Sequence, residues 1–397
     1  MILFEKFQYN FRCKFSMPYY KNYIRQIEFI RQLNTKASGL QNKNSSKRVL
    51  ICIHSFEWGG AERFAFETIS YLIEKGIDFH VFVEKKVTLP HEFINTIDSN
   101  KITYANEYQK SPKQLLDLIH VYKPNILHIH HSYSSYLALE NMPREIFVLD
   151  SLHIVEYSNG GYPYLSAEKT RYINLHHVIS EGLRDILINQ LGVAKYKVVI
   201  GYLVNKSLFL PPKNRKFNNN ELVIGYLGRF EKQKRPELLI QLAYYQSIYY
   251  SNLKIKYIMQ GDGRLKDNCI KLVNLYKLTH IVEFLPSNED INIFHEKIDI
   301  LLNPSANEGL ALTGIESAVK RTVFVTTNVG QQVEIASERC LISPEPKQFV
   351  KESMGLIIQL VNDKQLFIQI IKEQSDKWKK LNNDSVQKKV LELIYNE

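Results

Sequence analysis

Residues 48–83 read RVLICIHSFEWGGAERFAFETISYLIEKGIDFHVFV, and the fold of the chain is decided in that stretch. An apolar run at 49–54 has the length of a strand buried on both faces. Two glycines, Gly59 and Gly60, then permit a sharp turn and close backbone approach to a ligand. The triplet G-G-A lacks the three-glycine dinucleotide fingerprint, so it indicates a turn before it indicates a cofactor. Apolar residues recur at helical spacing over 61–75, Gly76 stops them, and a second strand follows at 79–83. Strand, helix and strand at these lengths begin a βαβ unit.

The same alternation continues outward. Strands are predicted at 126–130, 147–152, 177–179 and 198–200. Beyond a stretch with two prolines and an Asn triplet they resume at 222–227, 256–259, 282–284, 298–302 and 323–326. Such alternation argues for an α/β chain with two doubly wound, Rossmann-like parallel-sheet domains. The predicted plan is a basic, aromatic extension at 1–47, a first domain at 48–204, a linker at 205–220, a second domain at 221–380, and a closing helix at 381–397 that returns to the first domain. In open α/β sheets ligands bind beyond the carboxyl ends of the strands. Two such sheets facing each other would place a site in the cleft between them.

Two segments of the second half carry chemistry. After the run at 298–302 comes NEGLALTGIESA, residues 307–318, in which Glu308 and Glu316 stand seven residues apart around a turn-to-helix junction. The helix start offers unpaired N–H groups to a phosphate, and the carboxylates can accept hydrogen bonds from sugar hydroxyls. The competing reading is a capping box at 313–316 (TGIE), which would use Glu316 only to satisfy a backbone donor in the first turn. Earlier lies VIGYLGRFEKQKRPELLIQLA, residues 223–243, where a strand runs into Gly228, then Arg229 and Lys234, then a helix begun at Pro236. A planar fork and a point cation beside one strand end suit a diphosphate. With Lys232 and Arg235 in the same loop, a solvated basic surface fits the pattern too.

Taken in order, these segments resemble the retaining glycosyltransferases of family 4, which have the GT-B architecture. The resemblance covers roughly residues 48–385 and rests on GGAE at 59–62, GRFEKQKRPELLI at 228–240, MQGDGRLKD at 259–267, VEFLPS at 282–287 and the E-x7-E of Glu308 and Glu316. It implies that Arg229 and Lys234 bind the diphosphate of a nucleotide sugar. Glu316 would hold ribose hydroxyls and Glu308 hydroxyls of the transferred hexose. Backbone groups of Gly309, Leu310, Ala311 and Leu312 would meet the distal phosphate, Gly59 and Gly60 would also belong to the donor site, and Leu285 and Pro286 would flank the base. VLDSLHIVEY, residues 148–157, makes His153 the counterpart of a histidine near the reaction centre. The segment ALTGIESA departs from the family's usual aromatic and aliphatic pattern, which leaves the identity of the sugar open. The resemblance implies no metal cofactor, a donor with uracil in preference to guanine, and a glycan or lipid-linked glycan acceptor of the kind used in bacterial surface polysaccharide synthesis.

Composition is compatible with such an enzyme. A chain of 397 residues, 45% hydrophobic, can fill two cores. Cys13, Cys52, Cys269 and Cys340 are scattered without C-x-x-C spacing, so the expectation is a reducing, cytoplasmic compartment, with Cys52 packed as a small hydrophobe. No apolar run is long enough to span a bilayer, and the amino terminus has no secretory-signal pattern. The formal net charge is +10, and the first 48 residues hold ten Lys and Arg against two Glu. That extension suits an anionic membrane surface, or else forms an amphipathic helix packed on the protein. His128, His130 and His131 cluster in ILHIHHS, with no carboxylate at metal-ligand spacing, and serve either the cleft or strand-end packing. A nucleic-acid-binding role would use the charge, but no recognition motif accompanies it. A sugar-nucleotide epimerase of the same architecture is the nearer rival; it would turn over donor without acceptor.

Overall fold

The structure, a computed structural model, describes residues 47–56, 60–87, 92–154, 161–201, 221–383 and 395. The first sheet is built from β1 (Arg48–Ile53), β2 (Asp78–Val83), β3 (Ile102–Tyr104), β4 (Ile126–His130), β5 (Phe147–Leu152), β6 (Leu175–Val178) and β7 (Val198–Ile200). They lie side by side in the order β3-β2-β1-β4-β5-β6-β7, and every pair is parallel. The second contains β8 (Leu222–Leu227), β9 (Ile255–Gln260), β10 (Val282–Leu285), β11 (Ile300–Asn303), β12 (Val323–Thr327) and β13 (Leu341–Ile342). Its order is β10-β9-β8-β11-β12-β13, again parallel throughout. Both orders reverse direction beside the first strand, between β1 and β4 and between β8 and β11. Each domain thus has a topological switch point at which a crevice opens.

The sequence of β1 shows why it sits centrally. Side chains alternate along a strand, so Val49, Ile51 and Ile53 pack with Ala65, Ile69 and Leu72 of the helix Gly60–Glu74. Leu50 and Cys52 point to the other face, against Leu115, Ile119, Leu127 and Ile129. With helices on both faces, an uninterrupted apolar run is what such a strand requires, and each buried Val, Ile or Leu contributes about 1.5–3 kcal/mol. Burial pushes the Cys52 thiol up to about 12, so it packs as an inert hydrophobe. The helix ends at Gly76, whose φ of 65° lets Ile77 N–H reach the Leu72 carbonyl at 3.0 Å.

Two strands escape the periodicity. β3 and β13 are edge strands of three and two residues, too short to show alternation. β11 begins at Ile300, two residues later than predicted, because Ile298 caps the helix Ile291–Lys297 and the Asp299 carboxylate accepts the Val223 amide at 2.9 Å. The helices Pro346–Asn362 and Lys364–Asn383 pack on the second sheet, where Phe349, Ile357, Phe367 and Ile370 enter its core. Tyr395 is buried in the first domain instead, its hydroxyl 2.5 Å from His128 Nδ1. The amino-terminal extension, the predicted linker and most of the closing segment lie outside the described residues. No helix among the described residues is long and apolar enough to cross a membrane.

Candidate active site

On the second domain, the loop after β8 and the loop after β11 are pinned to each other. Ala306 N–H donates to the Gln233 carbonyl at 2.7 Å, and the Gln233 side chain donates to the Asn307 carbonyl at 2.9 Å. Arg235 holds the carbonyls of Pro304, Ser305 and Pro344 at 2.6, 3.0 and 2.7 Å. It is therefore a structural staple, and the basic loop is neither uniformly solvated nor uniformly a clamp. Lys234 Nζ bonds Glu308 Oε1, to which Ser305 Oγ also donates at 2.6 Å. Arg229 is half-buried and makes no ion pair among the described residues, which leaves its guanidinium for an anion.

Glu316 is not a capping residue. The helix runs Leu312–Lys320 with Ala311 at its N-cap, so Glu316 lies in the second turn and its side chain leaves the helix start altogether. It crosses the cleft: Oε1 takes a hydrogen bond from Arg63 Nη1, on the first-domain helix Gly60–Glu74. Burial pushes this carboxyl up, but the Arg63 guanidinium and the His295 imidazole outweigh burial and hold it below the usual range. Oε2 is buried without a hydrogen-bond partner, 4.0 Å from His295 Nε2.

The linking turn is pressed against the first domain. A Cβ on Gly309 would lie 2.4 Å from the His153 carbonyl oxygen, so only glycine permits this approach. Leu310 and Ala311 are buried, Leu312 is half-buried and stands 3.8 Å from where a Gly60 Cβ would lie. The predicted phosphate-facing turn and the amino-terminal glycine turn therefore meet. Gly59 itself lies outside the described residues. Leu285 closes β10 and is buried, while Pro286 beside it is exposed at the same strand end.

The first-domain wall is made of imidazoles. His153 is buried, its ring 4.7 Å from Phe64 and 5.1 Å from His131, with Nε2 at 3.4 Å from His130 Nδ1. His131 Nε2 accepts the His153 amide at 3.0 Å, so its proton is on Nδ1. Further along runs an ordered chain whose direction is set by its last acceptor. His177 Nε2–H donates to the Gly201 carbonyl at 2.8 Å, so Nδ1 accepts from Ser151 Oγ at 2.9 Å. Ser151 Oγ in turn accepts from His128 Nε2 at 2.7 Å, and His128 Nδ1 accepts from Tyr395. Burial, helped by neighbouring imidazoles, depresses His128, His130 and His153 well below the ordinary histidine value; burial takes His131 to about 3 and His177 to about 4. These rings are neutral, hydrogen-bonding elements of the wall.

Two features were not singled out in the sequence. Arg63 follows the GGAE motif directly and sits on the cleft-facing side of its helix. His54 and Glu84 follow β1 and β2, and the His54 Nδ1 lies 3.0 Å from Glu84 Oε2. Glu84 also accepts Ser132 Oγ at 2.9 Å and the Ser134 amide. The hydrogen bond to Glu84 raises His54 against the opposing effect of burial. A titratable residue just beyond each strand is the signal by which both could have been found.

Two facing Rossmann-like domains, with phosphate-suited cations and paired carboxylates at apposed strand ends, define the GT-B architecture. Residues 211–378 match the family model described as Glycosyl transferases group 1, and residues 58–202 match Glycosyltransferase Family 4. The chain belongs to the group 1 and family 4 glycosyltransferases. Over 129 residues it is 31% identical to the O-antigen biosynthesis glycosyltransferase WclY of Escherichia coli, a match spanning 32% of this chain and 35% of that protein. The pneumococcal O-GlcNAc transferase GtfA, solved in complex with UDP and GlcNAc, aligns with a TM-score of 0.71 at 10% identity over 89% of this chain and 100% of that one. Anabaena Alr3699/HepE, solved in complex with UDP, gives 0.68 at 14% identity over 88% and 100%. These likenesses show the fold.

Proposed function

We propose that the protein transfers a hexose-type sugar from a UDP-sugar to a glycan or lipid-linked glycan, with retention at the anomeric carbon, in the synthesis of a bacterial surface polysaccharide. The observation that carries this is the joint placement of Arg229, which has no ion-pair partner among the described residues, the Lys234–Glu308 pair and the half-satisfied Glu316 at the strand ends facing the first domain. Arg229 and Lys234 would sit on the diphosphate, Glu308 on hydroxyls of the sugar and Glu316 on the ribose, with Leu285 and Pro286 beside the base. The solved complexes with UDP on the same fold and the O-antigen relative support the donor and the setting.

In this reading the acceptor oxygen attacks the anomeric carbon on the face from which the diphosphate leaves. The carbon–phosphate oxygen bond breaks, and the acceptor proton passes to the departing phosphate oxygen. Arg229 and Lys234 stabilise the growing negative charge in a water-poor cleft, and neutral His153 lines the reaction centre. The reading assigns no metal ion and leaves Arg229 and Lys234 as the cations at the leaving group. The enzyme works in the cytoplasm, and a lipid-linked acceptor would bring it to the inner face of the membrane.

A thermal-stability titration with a panel of UDP- and GDP-sugars tests the reading. A ligand at 100 times its Kd adds about 2.7 kcal/mol, readable as a rise in Tm. The expected outcome is a selective rise with one UDP-sugar, lost in Glu316→Ala, and an acceptor-dependent product of unchanged anomeric configuration by NMR. Donor consumed at full rate without acceptor would point to an epimerase instead.

A further inference from the structure

Resting on the nucleotide-sugar reading of the cleft, we propose that Arg63 is a positioning residue for the nucleotide ribose: it ties Glu316 Oε1 across the cleft and leaves Oε2 as the acceptor for a ribose hydroxyl. The donor site of the second domain is then finished by the first, and ribose recognition is complete only in the closed molecule.

Three observations lead there. Glu316 is 1% exposed, and Oε2 has no hydrogen-bond partner. A buried carboxylate oxygen without a donor is costly and calls for an explanation, which a donating ligand hydroxyl would supply here. His295 Nε2, at 4.0 Å, attracts the carboxylate but stands beyond hydrogen-bond distance of Oε2. Secondly, Arg63 engages one oxygen only, through Nη1, where a bidentate fork would have consumed both. Thirdly, the ion pair stands beside the contacts that close the cleft, since Gly60 abuts Leu312 and Gly309 abuts the His153 carbonyl. Glu308 is arranged in parallel: Lys234 and Ser305 both bind its Oε1. Each carboxylate is thus oriented through one oxygen by neighbours that fix where the other points.

A plain interdomain clasp would change affinity for every nucleotide alike, and this separates it from a ribose-positioning role. The experiment measures Kd by calorimetry for UDP and for its 2′,3′-dideoxy analogue on the full chain, with the guanosine pair run alongside. Wild type should prefer the ribonucleotide by about 10- to 100-fold, as a hydrogen bond to a charged acceptor implies. That preference should fall to within a few-fold in Glu316→Gln and in Arg63→Gln, and recover in part in Arg63→Lys, which keeps the charge and should keep the fold. Donor KM should rise in Arg63→Gln more than kcat falls. An undiminished ribose preference in both Arg63 variants overturns the inference, whatever their absolute affinities, and leaves the nucleotide site standing. Wild type that binds no nucleotide overturns the donor-site reading and this inference with it.

Discussion

The two walls of the cleft are built on opposite electrostatic plans. The first domain buries six histidines in and just beyond β4, β5 and β6, namely His128, His130, His131, His153, His176 and His177, all depressed chiefly by burial. The second contains just two histidines, His280 and His295, and presents Arg229, Lys234, Glu308 and Glu316 at the corresponding place. A neutral wall can pack tightly and still form directed hydrogen bonds, as His177 does with the Gly201 carbonyl and Ser151. The charged wall holds three of these ions in pairs, Lys234 on Glu308 and Arg63 on Glu316, and leaves Arg229 without one among the described residues. The one contact that joins the plans, Arg63 to Glu316, puts a first-domain cation into the second domain's site.

Acidification should break this comparison most severely. Each depressed histidine contributes stability that is full above about pH 6.5. It is lost as pH falls toward the folded value, about 3 for His131 and His176 and about 4 for His177, because the unfolded chain takes the proton first. The loss is about 1.4 kcal/mol per proton per pH unit. Several such groups titrating over the same range amount to a loss comparable with the roughly 5–15 kcal/mol of a whole domain. Two groups act in the opposite sense: Asp150, which burial pushes up to about 7, and the Glu84-paired His54. Between pH 6.5 and 5 the first domain should lose amide protection well before the second, as hydrogen exchange would read. Simultaneous loss in both would show that the imidazole wall is not the acid-labile element.

Next in size is Arg229→Ala, expected to lower kcat by about 10²- to 10³-fold with little change in Tm, since the residue is half-buried and has no ion-pair partner among the described residues. Turnover within a few-fold of wild type would remove Arg229 from the leaving-group assignment. Gly309→Ala should cost about 100-fold in kcat/KM, because its Cβ would collide with the His153 carbonyl and shift the two walls by a fraction of an ångström or more. A crystal structure of that variant with the interdomain approach unchanged would contradict the tight contact. Smallest is Tyr395→Phe, which strands buried His128 Nδ1 and should cost about 1–3 kcal/mol in urea unfolding with donor affinity preserved.

Much of the fold is legible because strands such as β1 and β4 are buried on both faces and their apolar runs cannot be mistaken. The edge strands β3 and β13 are not, since two or three half-paired residues carry no period. The E-x7-E carboxylates and the cations after β8 are visible as chemistry, but their pairing is not. TGIE reads equally well as a capping box until the helix is seen to start at Leu312. Arg63 stands a single residue beyond the GGAE motif, yet nothing local says that it reaches a carboxylate 253 residues away.

The amino-acid sequence by itself determined the alternation of strand and helix, the two-domain α/β plan and the identity of the charged groups at the strand ends, because hydrophobic period and turn chemistry are local. Only the tertiary structure decided which histidines are driven neutral, which of the loop cations is a staple and which a pair, and which carboxylate oxygen is left wanting a donor. Those depend on burial and on distances between residues far apart in the chain, quantities that arise only once two walls have been folded against each other.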